Sequence, residues 1–144
     1  SRSSAASDVY KRQDLIIDVA TLTGAAIVAL GTRTAAVLGT ESARNEVIGA
    51  ASITGEAMWP LPFPKELRET LNGRVADLRN IGERPGGTLS AGIFLKEFVG
   101  ENEWAHIDIA GPAFTTKAYG YNAVGGTGMS MRTVLATLEG YEGR

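Results

Sequence analysis

The chain contains no cysteine and a single histidine, His106. Without cysteine it has no disulfide framework and no thiolate nucleophile, which is compatible with a reducing cytoplasm. One histidine does not allow a Ser-His-Asp triad to be assembled with confidence, and no G-x-S-x-G motif occurs. The glycine pairs lack the following Lys-Ser/Thr of a phosphate-binding loop. The sequence therefore excludes thiol chemistry and gives no support to a phosphate loop or a histidine-based triad.

Charge and hydropathy exclude two further classes of partner. The formal net charge is −2, and nucleic-acid-binding domains normally carry a basic patch. The longest apolar run, residues 25–30, is too short to span a membrane. We therefore expect no nucleic-acid partner, no membrane partner and a cytoplasmic location. The 144 residues, 44% of them hydrophobic, fit one globular domain with a core of its own.

The first 13 residues, SRSSAASDVYKRQ, differ in composition from the remainder. Serine, arginine, alanine and lysine dominate, and no hydrophobic period is visible. We interpret residues 1–13 as a non-native or disordered tail, with a native surface loop as the alternative. Residues 14–144 are then the native part, and no linker divides them.

The stretch 14–25, DLIIDVATLTGA, begins with a nearly unbroken apolar run, which is typical of a strand covered on both faces. The strand ends in Thr21, Leu22, Thr23 and Gly24. Ligands of open α/β sheets bind outside the carboxyl ends of strands. Glycine allows a close approach to the backbone, and the hydroxyls can orient a ligand. These four residues therefore predict a binding site, although they identify no reaction.

The remaining pattern alternates helices and short strands. It predicts a strand over residues 35–39, a helix over 43–53 capped by Ser42, and an extended segment over 58–64 with Trp59 as a packing anchor. A helix capped by Thr88, an alternating strand over 104–112 and a closing helix follow. The closing helix places Met131, Val134, Leu135 and Leu138 on one apolar face. This order predicts an α/β layered fold with a largely parallel sheet.

Polar residues on the predicted strands allow two interpretations. His106 and Asp108 share one strand face, so they could hold a metal or act as a base and its orienting group. No third ligand is visible nearby, which favours a hydrogen-bonded structural histidine. Asp18 needs a partner if it is buried, and an arginine such as Arg132 could supply one.

Four blocks, in order, resemble the catalytic domain of the leucyl aminopeptidases, also called cytosol aminopeptidases or peptidase family M17. They are residues 16–25 (IIDVATLTGA), 76–87 (ADLRNIGERPGG), 90–99 (SAGIFLKEFV) and 104–113 (WAHIDIAGPA). The closing TG-x-x-x-R of residues 127–132 fits as well. The resemblance implies an α/β/α three-layer domain with a mixed, largely parallel sheet. It also implies that strands of the N-terminal part of that domain are missing, so that residues 14–144 are its C-terminal portion.

The resemblance implies hydrolysis of an N-terminal residue, often leucine, from peptides with a free N-terminus. The family uses two divalent ions, Zn or Mn with Mg as an alternative, and assembles into homo-hexamers. Its Asn-Thr-Asp-Ala-Glu-Gly-Arg motif, which carries metal-binding carboxylates and a catalytic arginine, is absent from this sequence, as are its catalytic lysine and its lysine and aspartate ligands. We therefore assign no catalytic and no metal-binding residue, and expect the isolated chain to bind no metal and to be inactive.

What the resemblance carries over is a substrate-binding wall. It implies that Thr21, Leu22, Thr23 and Gly24 line the cleft, with the Leu22 main chain holding the substrate amino acid. It places Ala110 and Ala113 around the side chain of the N-terminal residue, and Ile81 around that of the next residue. His106 and Asp108 match family positions that are not metal ligands.

Two other classes of function stay open at this stage. A non-catalytic structural or assembly module of the same fold would need only a subunit-contact surface. A small-ligand binding domain would use the edge at residues 21–24 without a metal.

Overall fold

The computed structural model of the protein describes residues 14–141. The tail predicted over residues 1–13 lies outside the described residues. The strands are β1 Leu15–Ala20, β2 Ala35–Gly39, β3 Met58–Pro60, β4 Glu103–Asp108, β5 Phe114–Thr115 and β6 Gly125–Gly126. The helices are α1 Gly24–Leu30, α2 Glu41–Thr54, α3 Lys65–Glu69, α4 Gly87–Lys96 and α5 Met131–Gly140.

The main sheet has four strands in the order β1-β4-β2-β3. Strand β1 pairs with β4 in parallel, β4 pairs with β2 antiparallel, and β2 pairs with β3 in parallel. The carboxyl ends of β1 and β4 therefore meet at one edge of the sheet, where β2 and β3 begin. A mixed, largely parallel sheet is thus confirmed. Strands β5 and β6 form a separate small hairpin.

Helices cover both faces of the sheet, which confirms the α/β class and the three layers. On one face, α2 buries Val47 and Ala51 against Val37 and Ile107 of the strands. On the other face, α1 and the residues around α4 surround a second cluster: Ala26, Leu30, Ala36, Leu38, Leu61, Phe63 and Leu89. Each face of the sheet therefore has an apolar core of its own.

The alternation predicted for β4 is confirmed. Ala105 and Ile107 point into the α2 side of the core. Trp104 and His106 lie on the opposite face, where their rings stack with centroids 6.3 Å apart. All four side chains are buried, because β4 is a central strand with helices on both sides.

Three local predictions are wrong. Helix α2 begins at Glu41 and its N-cap is Thr40, so Ser42 lies within the first turn and does not cap it. Helix α4 starts at Gly87 after Gly86, whose φ of 68° is left-handed, and Thr88 is a buried residue of the helix. Trp59 is 62% exposed, because β3 is an edge strand, and Trp59 belongs to neither core cluster.

The closing helix α5 also differs from its prediction. Met131, Leu135 and Leu138 are more than half exposed, whereas Thr133 and Thr137 are buried. The threonines tolerate burial because each hydroxyl has a partner: Thr133 donates to a buried carboxylate of Glu56, and Thr137 donates to the Thr133 carbonyl. Thr133 and Thr137 therefore form the buried face of α5 together with Val134, which packs against the core as predicted, and Met131, Leu135 and Leu138 form an exposed stripe.

None of the helices within residues 14–141 combines the length and the apolar character needed to cross a bilayer.

Candidate functional site

The corner between β1 and α1 lies at the sheet edge where β1 and β4 end. Thr23 is the N-cap of α1, with extended φ and ψ of −133° and 136°, and its Oγ1 accepts a hydrogen bond from the Ala26 N–H at 3.1 Å. Thr21, Leu22 and Gly24 are exposed, and Thr23 is half-buried. The four residues predicted to form a site therefore face solvent at the strand's carboxyl end.

A buried carboxylate fixes this corner. Asp108, the last residue of β4, is fully buried and accepts hydrogen bonds from the main-chain N–H groups of Leu22, Thr23 and Ala110, each at 3.1 Å. The Thr23 hydroxyl also lies 2.7 Å from Asp108 Oδ2. A buried charge is tolerated only when it is well paired, and four donors meet that requirement. Asp108 therefore holds three of the predicted wall residues together.

The sequence did not predict this role for Asp108. The sequence pattern allows Asp108 and His106 to act as a metal or acid–base pair, but in the structure the two side chains have different partners. The Asp108 carboxylate turns to the corner, whereas the buried His106 ring places Nδ1 2.5 Å from Asp18 Oδ1. No sequence signal connects residue 108 to residues 22 and 23, because the link arises only when β1 pairs with β4.

The Asp18 carboxylate contacts the indole of Trp104 and the imidazole of His106. Its Oδ2 accepts a hydrogen bond from Trp104 Nε1 at 2.6 Å, and its Oδ1 lies against His106. The pairing with an arginine expected for Asp18 is therefore wrong, and Arg132 instead lies 3.7 Å from Glu56 Oε1. The stacked Trp104 and His106 rings and the two Asp18 contacts support the structural interpretation of the histidine.

The loop of residues 80–84 lies beside the corner and brings Ile81 to it. The cavity between them has a volume of about 450 Å³, and its lining includes Leu22, Thr23 and Ile81. Thr88, just after the loop, lies with its Oγ1 2.9 Å from Thr23 Oγ1. A Cβ at Gly87 would lie 3.2 Å from the Ala25 Cβ, so the start of α4 packs closely on α1. The predicted residues at positions 22, 23 and 81 thus share one cavity.

The alanines after β4 lie on the other side of the corner. Ile109 N–H donates to the Ala20 carbonyl at 2.8 Å, which joins the two strand ends. Ala110 and Ala113 are half-buried, and the Ala113 carbonyl accepts from Thr127 N–H at 3.0 Å. Asp108 ties Ala110 directly to the corner. Ala113 is tied instead to the segment before α5, and neither alanine lines the cavity that contains Ile81.

One glycine is required where α1 meets the end of β4. A Cβ at Gly111 would lie 2.4 Å from the Gly31 carbonyl oxygen. Side chains do not approach a backbone oxygen this closely, so glycine alone lets the end of α1 pack against the turn after Ala110. The turn after β4 is therefore fixed by two contacts: the hydrogen bond from Ala110 N–H to Asp108, and the close packing of Gly111 against the end of α1.

The described residues do not fit the metal pair that the family resemblance implies. No group of three or more histidine, cysteine or acidic side chains within residues 14–141 is arranged to hold a metal ion. The aspartates of β1 and β4, Asp18 and Asp108, already accept from protein donors. The arrangement provides main-chain groups and small side chains beside a cavity.

Comparisons with known proteins show the family of the chain. Residues 4–135 match the cytosol aminopeptidase family, catalytic domain. A probable cytosol aminopeptidase of Nocardia farcinica is 54% identical over 129 residues, which are 88% of this chain and 26% of that protein. One of Streptomyces avermitilis is 50% identical over 132 residues, 90% of this chain and 26% of that protein. The chain thus spans about a quarter of the length of these relatives.

Solved structures give the same result. A mutant of tomato leucine aminopeptidase superposes with a TM-score of 0.83 at 34% identity, over 90% of this chain and 25% of that one. The bottromycin maturation enzyme BotP in complex with Mn superposes with a TM-score of 0.84 at 42% identity, over 88% of this chain and 29% of that one. The chain therefore belongs to the cytosol aminopeptidase family, and the matched residues are part of the family's catalytic domain.

Proposed function

We propose that this chain forms the substrate-binding wall of an aminopeptidase that removes N-terminal residues, leucine preferred, from peptides. One observation carries the proposal: the Asp108 carboxylate binds the N–H groups of Leu22, Thr23 and Ala110 together at the sheet edge. Family membership supports the reaction class. The geometry supports the role of the chain within it, because a peptide needs fixed main-chain partners and a side-chain pocket.

In this proposal different residues of the wall bind different parts of the peptide. The Leu22 N–H is bound to Asp108, so its carbonyl oxygen is the main-chain group left to hold an N–H of the substrate. Ala110 and Ala113 are small and leave room for a leucine-sized side chain, whose burial contributes about 1.5–3 kcal/mol. Ile81, 70% exposed at the cavity, contacts the side chain of the next residue.

We propose that the whole enzyme uses two divalent ions, Zn or Mn with Mg as an alternative. The Mn complex of BotP, a structural neighbour, supports this choice. Since residues 14–141 offer no ligand set, the ions are bound by other parts of the enzyme and this chain orients the peptide. The 144-residue chain alone is then inactive. A cytoplasmic location and a homo-hexamer complete the proposal, by analogy with the family.

Narrowing the proposed pocket tests the assignment. In an enzyme that contains this chain and spans the length of its relatives, Ala110→Val should lower kcat/KM for a leucyl dipeptide about tenfold while sparing a glycyl dipeptide. The matched control is Ala118→Val, an exposed alanine outside the wall. Equal changes for both substrates, or for both variants, would refute the assignment of Ala110.

A non-catalytic assembly module is the second candidate, and the exposed stripe of α5 favours it. Met131, Leu135 and Leu138 are 68%, 56% and 57% exposed, and such contiguous apolar surface marks interaction sites. Replacing the three with glutamine should reduce the sedimentation coefficient if the stripe joins subunits. The two functions separate because only the first requires peptide hydrolysis in the intact enzyme.

A further inference from the structure

A small cavity lies between the start of β2, the loop before β3 and the segment before α5. Its volume is about 220 Å³, and its lining includes Arg33, Tyr119, Tyr121, Asn122 and Arg132. Two guanidinium groups and two phenol rings thus surround a space of a few heavy atoms. The substrate wall does not use this cavity.

Arg33 presents donors that no group within residues 14–141 uses. Its guanidinium carbon lies 4.2 Å from the centroid of the Tyr119 ring. This cation–π contact holds the guanidinium over the ring and uses none of its five N–H donors. Among the described residues no carboxylate pairs with Arg33, and no hydrogen bond uses its donors.

Arg132 lines the same cavity and is positioned by two contacts. Its guanidinium lies 4.9 Å from the Tyr121 ring centroid and donates through Nη2 to the Tyr121 hydroxyl. That hydrogen bond is the main reason why the pKa of Arg132 lies above its usual value, and nearby Glu56 contributes to the rise. Arg132 therefore stays charged at any physiological pH.

The one acidic side chain in the cavity lining does not neutralise both arginines. Glu56 is buried, and its carboxylate accepts from Ser130 N–H at 3.1 Å, Thr133 N–H at 2.9 Å and the Thr133 hydroxyl at 2.6 Å. It lies 3.7 Å from Arg132 Nε. Two arginines and one carboxylate line the cavity, so its lining keeps a net positive charge in a chain whose net charge is −2.

We propose that this cavity binds a small oxyanion, a carboxylate or a phosphate group, between Arg33 and Arg132. The planar fork of Arg33 matches two oxygens of either group, Arg132 adds the donors that Tyr121 and Glu56 leave free, and the cavity has room for one such group. The side chain of Asn122 adds an amide donor to the lining. The proposal does not depend on peptide hydrolysis.

The test is a titration of the isotope-labelled 144-residue chain with inorganic phosphate in one arm and acetate in the other, at constant ionic strength. The amide signals of Tyr121 and Asn122 and the Arg33 Nε–Hε signal should shift and saturate. Arg33→Gln removes an exposed side chain and should weaken binding about tenfold, as expected for a charge-assisted contact. Arg74→Gln, at another exposed arginine, should leave the affinity unchanged.

Saturation in one arm only would support the site and identify the oxyanion class that it takes. Saturation in both arms would assign a general oxyanion site. The proposal is overturned if neither anion produces saturable shifts, or if Arg33→Gln binds as tightly as the unaltered chain.

Discussion

Two buried carboxylates, Asp108 and Glu56, stabilise different regions of the molecule by the same device. Each accepts from main-chain N–H groups near the start of a helix and from a threonine hydroxyl, Thr23 in one case and Thr133 in the other. The regions differ in exposure. Leu22, a partner of Asp108, is 40% exposed, whereas Ser130 and Thr133, the partners of Glu56, are almost wholly buried. The same chemistry therefore fixes a partly exposed corner in one place and a buried helix start in the other.

The difference shows how a rigid surface can be built from exposed residues. Leu22 and Thr23 have little packing of their own at the sheet edge, and a carboxylate 85 or 86 residues away supplies their order. Glu56 instead adds hydrogen bonds to a region where α2 and α5 already pack together. We therefore expect loss of Asp108 to damage both stability and the site, and loss of Glu56 to damage stability alone.

The largest effect is expected for Asp108→Asn. The amide group places an NH₂ against N–H donors, so at least one buried donor loses its acceptor, at a cost of about 3 kcal/mol. Urea denaturation of the chain measures the loss. Asp77→Asn, at an exposed carboxylate, is the matched control and should change the free energy of unfolding by less than about 0.5 kcal/mol. Equal stability of the two variants would contradict the role of Asp108.

Glu56→Gln should cost less, about 2 kcal/mol, because three donors depend on Glu56 rather than four and the carboxamide still accepts from one side. Amide hydrogen exchange sharpens the comparison with Asp108. Exchange at Leu22 and Thr23 should be unchanged in Glu56→Gln and faster in Asp108→Asn. Faster exchange at the corner in both variants would show that the two regions are one cooperative unit.

A smaller effect is expected when only the Thr23 hydroxyl is removed. Thr23→Val deletes the cap of α1 and one bond to Asp108, and should cost about 1 kcal/mol. Thr23→Ser keeps the hydroxyl and should restore most of that stability. Thermal unfolding of the two variants measures the difference, and identical melting temperatures would show that the hydroxyl is not part of the corner's support.

The smallest effect is expected at a surface ion pair. Arg68 Nε lies 2.5 Å from Glu97 Oε1, but the two side chains are 37% and 33% exposed, so water and salt screen the pair. Arg68→Gln should cost less than about 1 kcal/mol in urea denaturation, and added salt should reduce the difference. A cost as large as that of Asp108→Asn would show that burial does not decide which carboxylates matter.

Local patterns predicted the elements of the fold well. The alternation predicted over residues 104–112 gave the correct faces of β4, although β4 ends at Asp108. The apolar run of residues 15–20 gave β1, but β1 is a half-buried edge strand and is not covered on both faces. The wall residues taken from the family resemblance stay a prediction, and the structure brings three of them, Leu22, Thr23 and Ala110, to one carboxylate. These features depend on short stretches, whose period or motif can be recognised in the chain itself.

What could not be predicted depends on contacts between distant segments. The partners of Asp108, Glu56 and Asp18 come from strands and helices that meet only in the folded chain. The prediction that α5 buries its larger apolar side chains failed for the same reason, because the Glu56 carboxylate makes burial of Thr133 favourable. Helical period alone would have buried the larger side chains.

The central claim is that Asp108 holds the wall on which the peptide binds. The most direct measurement is kcat/KM for a leucyl dipeptide in an enzyme that contains this chain and spans the length of its relatives, with Asp108→Asn compared with Glu56→Gln at a temperature where both are folded. We expect a fall of about 100-fold for Asp108→Asn, because a misplaced substrate reacts slowly, and less than about threefold for Glu56→Gln. Equal values for the two variants would contradict the claim.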